Sequence, residues 1–455
     1  MRTRIVKRMQ WVALVLVVAL LASVAPMGGM QPALAQTTPK TGIACTTGAS
    51  PNPIFTLTAR TGTILLPDGN TMFMWGYSEG GKPFQHPGPA LCVSQGDTVT
   101  VILQNTLSEN VSIIFPGQTD VLANGAPAQP QFDGLGTLTS LTNMAAPGGS
   151  VTYRFVASEP GTFIYESGTE SVKQVNMGLF GVLIVRPSTV PAGGADPVAA
   201  HYMYNRADSV FTPEEEFLVL LSEIDPYLHQ AVENGLPFNM NDYYPRYWLI
   251  NGRGYPDSML DNFSAVVPSQ PYGALARIHA FNDAVAPTDP NYHPYPGAIR
   301  YVNVATQVFP FHPHGNNGVV IGRDGRPLEG PTGQDLSFEK FTINIGPGQT
   351  WDVVFKWYDA EGYDEMMNPV PATIPSIANM TFGMYWSGSP YLGMMGAMPP
   401  GMSTLNQCGE YYIISHNHAL FQITSWGVVM SGPATYLRID PPYDAMGANM
   451  CPPFP

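Results

Sequence analysis

Apolar and polar positions alternate along much of the chain, the mark of half-buried strands rather than helices. Within residues 97–105, Val99, Val101 and Leu103 share one face. The same spacing recurs in Val151, Tyr153 and Phe155, and again in Trp351, Val353 and Phe355. Turn dipeptides introduce the last two runs, Pro147-Gly148 in one case and Pro347-Gly348 in the other, and such pairs reverse a chain between strands. Helical periodicity is weak, with 213–216 and 226–234 as short candidates.

The turns reveal an internal repeat. Pro147-Gly148-Gly149-Ser150 and Pro347-Gly348-Gln349-Thr350 lead into matching strands 200 residues apart. Upstream, Ile114-Phe115-Pro116-Gly117 stands where the second copy has His312-Pro313-His314-Gly315. Downstream, Gly161-Thr162-Phe163-Ile164-Tyr165 corresponds to Gly409-Glu410-Tyr411-Tyr412-Ile413, and each copy closes on a strand ending in proline, 181–187 and 435–441. Two related all-β sandwiches are expected. The first would span 36–188 and the second 241–443, with 189–240 connecting them and 444–455 as a tail. Residues 363–407 form an insertion in the second copy and carry eight of the 22 methionines. Soft thioethers favour monovalent copper, but their irregular spacing fits gap-filling in a packed loop better.

Composition supports this picture. The 455 residues are 44% apolar, enough for a sizeable core, and only 12% charged, which excludes a disordered acidic polymer. With 46 Gly and 45 Pro and no Gly-x-y period, the chain has many turns and neither a collagen helix nor a helical bundle. Residues 1–35 read as a signal peptide: Arg2, Arg4, Lys7 and Arg8 precede an apolar run, and Ala33-Leu34-Ala35 fits a cleavage site. Export to a periplasm, cell envelope or extracellular space is expected, with no later membrane span. Loss of those four basic residues takes the formal charge from −14 to −18, which disfavours nucleic acid and anionic lipid as partners. Four cysteines in an exported chain suggest two disulfides with three possible pairings. Cys45–Cys92 and Cys408–Cys451 are preferred because each pair lies within one half.

Histidine placement carries the chemistry. Four of the nine histidines form two His-x-His pairs, His312/His314 and His416/His418, both in the second half. Two residues apart on a strand, paired imidazoles project to one face and can close on one metal or two. Imidazole-rich sites suit copper, zinc, nickel or iron. His86, His201, His229, His279 and His293 are isolated in sequence, and surface or hydrogen-bonded roles are expected for them.

With these strings in hand, the chain resembles the multicopper oxidases, which are built from cupredoxin domains. Pro87-Gly88-Pro89, Gly96-Asp97-Thr98-Val99, Gly178-Leu179-Phe180-Gly181 and residues 249–254 stand where that family has similar strings, and residues 309–315 resemble its His-Pro-x-His-x-His-Gly. The resemblance implies two cupredoxin-like Greek-key sandwiches and a copper cofactor, one or two ions here, with zinc possible. Family members hold a three-copper, oxygen-reducing cluster with four His-x-His pairs. Here Ile114 and Pro116, and Glu166 and Gly168, replace the first-domain pairs. Glu166 can extend the ligand set, or else face water as a loop residue. The implied blue copper site has Phe309, Asn417 and Gln422 at its ligand positions and Gly427 near the axial one. In an alternative register the cysteine position is Ser415, so the thiolate is absent either way. The expectation is an exported copper-binding protein with a residual four-histidine site, taking a metal ion or small molecule. If an enzyme, it is a copper-dependent oxidoreductase. A metal-free scaffold and an oxidase completed by a partner subunit are the alternatives, and the resemblance also implies a homotrimer.

Overall fold

The computed structural model describes residues 39–358 and 411–440. The segment read as a signal peptide, the methionine-rich stretch read as an insertion, the tail, Cys408 and Cys451 all lie outside the described residues.

Strands dominate, and they form two pairs of sheets. The first half pairs the sheet Thr71–Glu79, Ile54–Leu65, Thr98–Asn105, Ser150–Val156 with the sheet Cys45–Thr47, Ala90–Ser94, Phe180–Arg186, Gly161–Glu166. In the second half, one sheet runs Tyr247–Ile250, Glu216–Ile224, Gly297–Asn303, Thr350–Phe355, Gly318–Arg323, extended at its edge by short strands. The other runs Ala276–His279, Ala434–Asp440, Tyr411–Asn417, Phe309–Pro313, Ile343–Ile345.

The two halves repeat each other strand for strand. Ile54–Leu65 lies parallel to Thr98–Asn105 and antiparallel to Thr71–Glu79. Glu216–Ile224 likewise lies parallel to Gly297–Asn303 and antiparallel to Tyr247–Ile250. The closing strands agree as well: Phe180–Arg186 and Ala434–Asp440 each pair antiparallel on one side and parallel on the other. Both Pro-Gly turns place their glycine at positive φ, Gly148 at 72° and Gly348 at 70°, the backbone region that type II turns reserve for glycine.

One expected boundary changes. Residues 189–240, read as a connection, contain the strand Glu216–Ile224, which is buried along its whole length. A strand covered on both faces carries apolar residues continuously and shows no alternation, so EFLVLLSEI does not advertise its period. Residue 213–215 forms a 3-10 turn and Pro226–Glu233 a short helix, close to the helical candidates.

Three apolar layers hold the sheets together. Leu57, Val101 and Tyr153 meet Leu91, Leu183 and Val185 inside the first sandwich. Val219, Tyr301 and Val353 meet Phe309, Phe311 and Leu437 inside the second. Between the halves, Cys92, Ile164, Val182 and Ile184 pack on Leu218, Leu220 and Val302. Alternation explains this: successive side chains of one strand supply the sandwich core and the contact between halves. The Cys45–Cys92 disulfide forms as expected, tying adjacent parallel strands.

The same contact buries charge. Arg300, fully buried, donates from Nε to Glu216 (2.7 Å) and from a terminal nitrogen to Thr162 Oγ1 (2.9 Å). Glu216 is also held by Arg186, and Asp352 accepts from Thr162 Oγ1 (2.6 Å) and the Tyr204 hydroxyl (2.5 Å). Burial alone would raise the Glu216 carboxyl, but Arg186 and Arg300 overcome it and hold the group below its ordinary range.

Candidate metal centre

The four histidines of the two His-x-His pairs come together on neighbouring strands. Phe309–Pro313 and Tyr411–Asn417 pair antiparallel with His312 directly opposite His416. Side chains alternate along a strand, so both histidines project from one face, while Phe309, Phe311 and Asn417 point into the core on the other. His314 and His418 follow two residues on. Ring centroids lie 4.4 Å apart for His312–His314, 5.3 Å for His312–His418 and His314–His416, and 5.4 Å for His416–His418.

Two of the four, His312 and His416, have the outer ring nitrogen already engaged. Nδ1 of His312 lies 2.5 Å from the Phe341 carbonyl oxygen and 3.1 Å from Thr342 Oγ1, and Nδ1 of His416 lies 2.9 Å from its neighbour's carbonyl, Asn417 O. A carbonyl only accepts, so each Nδ1 carries a proton and Nε2 is the nitrogen turned toward the other rings. Metal-ligating histidines are oriented in this manner. The Nε2 atoms of His314 and His416 are 3.2 Å apart, close to the separation of about 3.3 Å expected between two nitrogens bonded at 2.0–2.1 Å to one tetrahedral ion. Burial first, then the neighbouring His312, His416 and His418, push the His314 imidazole down to about 4. His416 is lowered by burial and by His312 and His418. Burial and crowding thus favour neutral rings at His314 and His416, the form that binds metal. This donor set fits copper or zinc.

The first-half counterparts share the backbone arrangement and carry no imidazole. Ile114 and Glu166 form an antiparallel bridge, with the Ile114 N–H donating to Glu166 O at 2.8 Å, just as His312 faces His416. Of the two readings of Glu166, a ligand or a water-facing loop residue, the second does not describe its place: it ends the strand Gly161–Glu166 and is largely covered. Burial pushes its carboxyl up to about 6. Among the described residues, the imidazole contacts of the quartet are with one another and with Phe341, Thr342 and Asn417; Glu166 is not one of them.

At the blue-copper positions, Phe309, Asn417 and Gln422 are each buried to within 1%. Asn417 hydrogen-bonds Gln422, whose amide nitrogen donates to Gln307 Oε1 at 2.8 Å, and that oxygen also accepts from Trp248 Nε1 at 3.1 Å. A phenyl ring and a chain of paired amides fill the space. Gly427 has φ 82° at an exposed turn.

The isolated histidines divide into two kinds. His229 is buried with both nitrogens on carbonyls, Phe73 O and Asn176 O, and His201 pairs with Asp196. His86 is buried, and burial, with His229 second, lowers it to about 3. His279 and His293, however, are not isolated: both meet Glu215. Sequence spacing gives no sign of this, since 64 and 78 residues separate them from that glutamate.

Paired sheets with this strand order, carrying a histidine quartet on one face, define a cupredoxin-type fold. Multicopper oxidase is the family whose model matches, over residues 58–190. An L-ascorbate oxidase of Cucumis sativus is 34% identical over 179 residues, 38% of this chain and 26% of that protein. The chain thus spans about a quarter of the length of such curated relatives. A solved multicopper oxidase, mgLAC, superposes with a TM-score of 0.54 at 18% identity, covering 86% of both chains. The blue copper oxidase from Nitrosomonas europaea gives 0.52 at 18% identity over 85% of this chain and 86% of its own. The first half of the chain is thus similar to the multicopper oxidases, and the whole chain shares their fold.

Proposed function

We propose that this chain is an exported copper-binding protein of the multicopper oxidase family, with one or two copper ions held by His312, His314, His416 and His418. The observation that carries the reading is the convergence of four imidazoles whose Nδ1 atoms, at His312 and His416, are turned outward onto carbonyls. The Phe341 and Asn417 carbonyls fix the tautomer and orientation of His312 and His416, and burial favours a neutral His314 among them. Bound copper would supply one-electron and Lewis-acid chemistry there, suited to storing the metal or oxidising a small molecule slowly.

Four-electron reduction of oxygen by this chain alone is not part of the proposal. A fast one-electron relay uses a cysteine thiolate, and the residues at those positions are closed over by the Asn417–Gln422–Gln307 amide chain. That filled space favours a second reading, a metal-free scaffold on the same fold. A partner subunit supplying the missing ligands is the third.

Metal content by mass spectrometry on natively exported protein separates them. One or two coppers per chain are expected, and His312→Ala with His416→Ala should abolish them. Zinc alone would remove the oxidase reading. No metal even after copper loading would leave the scaffold, and copper retention only in a co-purifying complex would favour the partner.

A further inference from the structure

We infer that Glu215, His279 and His293 form a second binding site, for a divalent transition-metal cation of the zinc or ferrous kind, sharing no residue with the histidine quartet. One ligand atom from each residue can be chosen so that all three lie within 4.8 Å of one another. Three separate pieces of backbone bring them there. Glu215 ends the turn Pro213–Glu215, and His279 ends the edge strand Ala276–His279. His293 is held by a reciprocal backbone bridge to Asn282, with bonds of 2.8 and 2.9 Å.

The distances suit an ion. Nε2 of His293 lies 3.3 Å from Glu215 Oε2, and Nδ1 of His279 lies 2.9 Å from Glu215 Oε1. Bonds of 2.0–2.1 Å to a tetrahedral ion set neighbouring ligand atoms about 3.3 Å apart. Small side-chain movements would therefore close the site. Glu215 is 2% exposed, and a carboxylate so deeply covered needs positive charge beside it. One of its oxygens is fixed by the His279 backbone N–H at 2.7 Å, leaving Oε2 turned toward His293. A cation would supply that charge and bind all three groups at once.

Further polar groups stand beside the two imidazoles. Thr212 Oγ1 lies 3.3 Å from His293 Nε2, and it donates to the Tyr295 carbonyl. Asp440, fixed by Arg277 and Arg438, has an oxygen 4.0 Å from His279 Nε2. Two imidazoles and one carboxylate leave coordination positions for water, the donor set of an open zinc or non-haem iron site.

Cobalt(II) is the probe, because its visible absorption reports coordination by these donors. The full chain carrying H312A, H314A, H416A and H418A should bind one equivalent saturably and release it to zinc. Adding His293→Ala or Glu215→Gln should weaken that binding by more than about tenfold. A folded quartet-free chain that binds no cobalt, or binding indifferent to His293→Ala, would overturn the site and leave a hydrogen-bonded triad. If the quartet-free chain does not fold, His293→Ala in the otherwise native chain should cost one equivalent of bound zinc by mass spectrometry. An unchanged zinc count would overturn the proposal equally, and neither result bears on copper at the quartet.

Discussion

Glu166→Gln should stabilise this protein, and only above mildly acidic pH. Glu166 occupies the first-half position equivalent to His416, and burial raises its carboxyl from 4.5 to about 6. An acid raised on folding binds its proton more tightly in the native state. Stability therefore falls as pH climbs from the unfolded value toward the folded one, and stays lower above it. A rise of about 1.5 units corresponds to about 2 kcal/mol. Glutamine keeps the shape and never ionises, so the variant should gain about that amount at about pH 7.5 and nothing at about pH 4, where both forms are neutral. Urea unfolding of native and variant chains at the two pH values measures the difference directly, from the shift in midpoint at unchanged slope. An equal shift at both pH values, or a loss at the higher one, would refute burial as the cause. Loss of copper from the variant would show instead that Glu166 reaches the quartet.

Removing Arg300 tests the charged contact between the halves: Arg300→Met strands Glu216 and Asp352 with fewer donors and should cost about 3–5 kcal/mol in urea unfolding. Pairing it with Asp352→Asn should recover part of that cost, and strict additivity would argue against the network. Gly325 sits at φ 69°, and a Cβ there would stand 2.1 Å from the Phe163 ring. Gly325→Ala should therefore lower the thermal midpoint, whereas Gly333→Ala, at φ 82° with its Cβ 3.4 Å from Glu329 Oε1, should carry the conformational cost alone. For the metal-free chain, His314 titrates at about 4 when folded and near 6.5 when unfolded, so stability should fall as pH drops through that interval. His314→Gln should flatten this fall in a pH series of thermal melts, and copper should oppose it in the native chain alone.

Much of the architecture is legible in the sequence because it depends on short-range rules. Alternation at Val99, Val101 and Leu103, and the glycine that each Pro-Gly turn requires, are local constraints that mark strands and their ends. The Cys45–Cys92 pairing is legible because both cysteines lie in one half of the chain, and the meeting of the two His-x-His pairs follows from the internal repeat, since repeated strands must occupy equivalent places. Even the bridge between Ile114 and Glu166 survives where the ligands do not, because backbone pairing does not depend on those side chains.

Other features depend on which surfaces meet. The strand Glu216–Ile224 hides its period because both of its faces are covered, and only the packing of the two halves covers them. Glu166 reads as a loop carboxylate until its strand and neighbours enclose it. His279 and His293 look solitary along the chain, yet a turn, an edge strand and a bridged loop deliver them to one buried carboxylate. Local sequence decided the strands and the quartet; long-range packing decided burial, and burial decides which charged groups must find a partner.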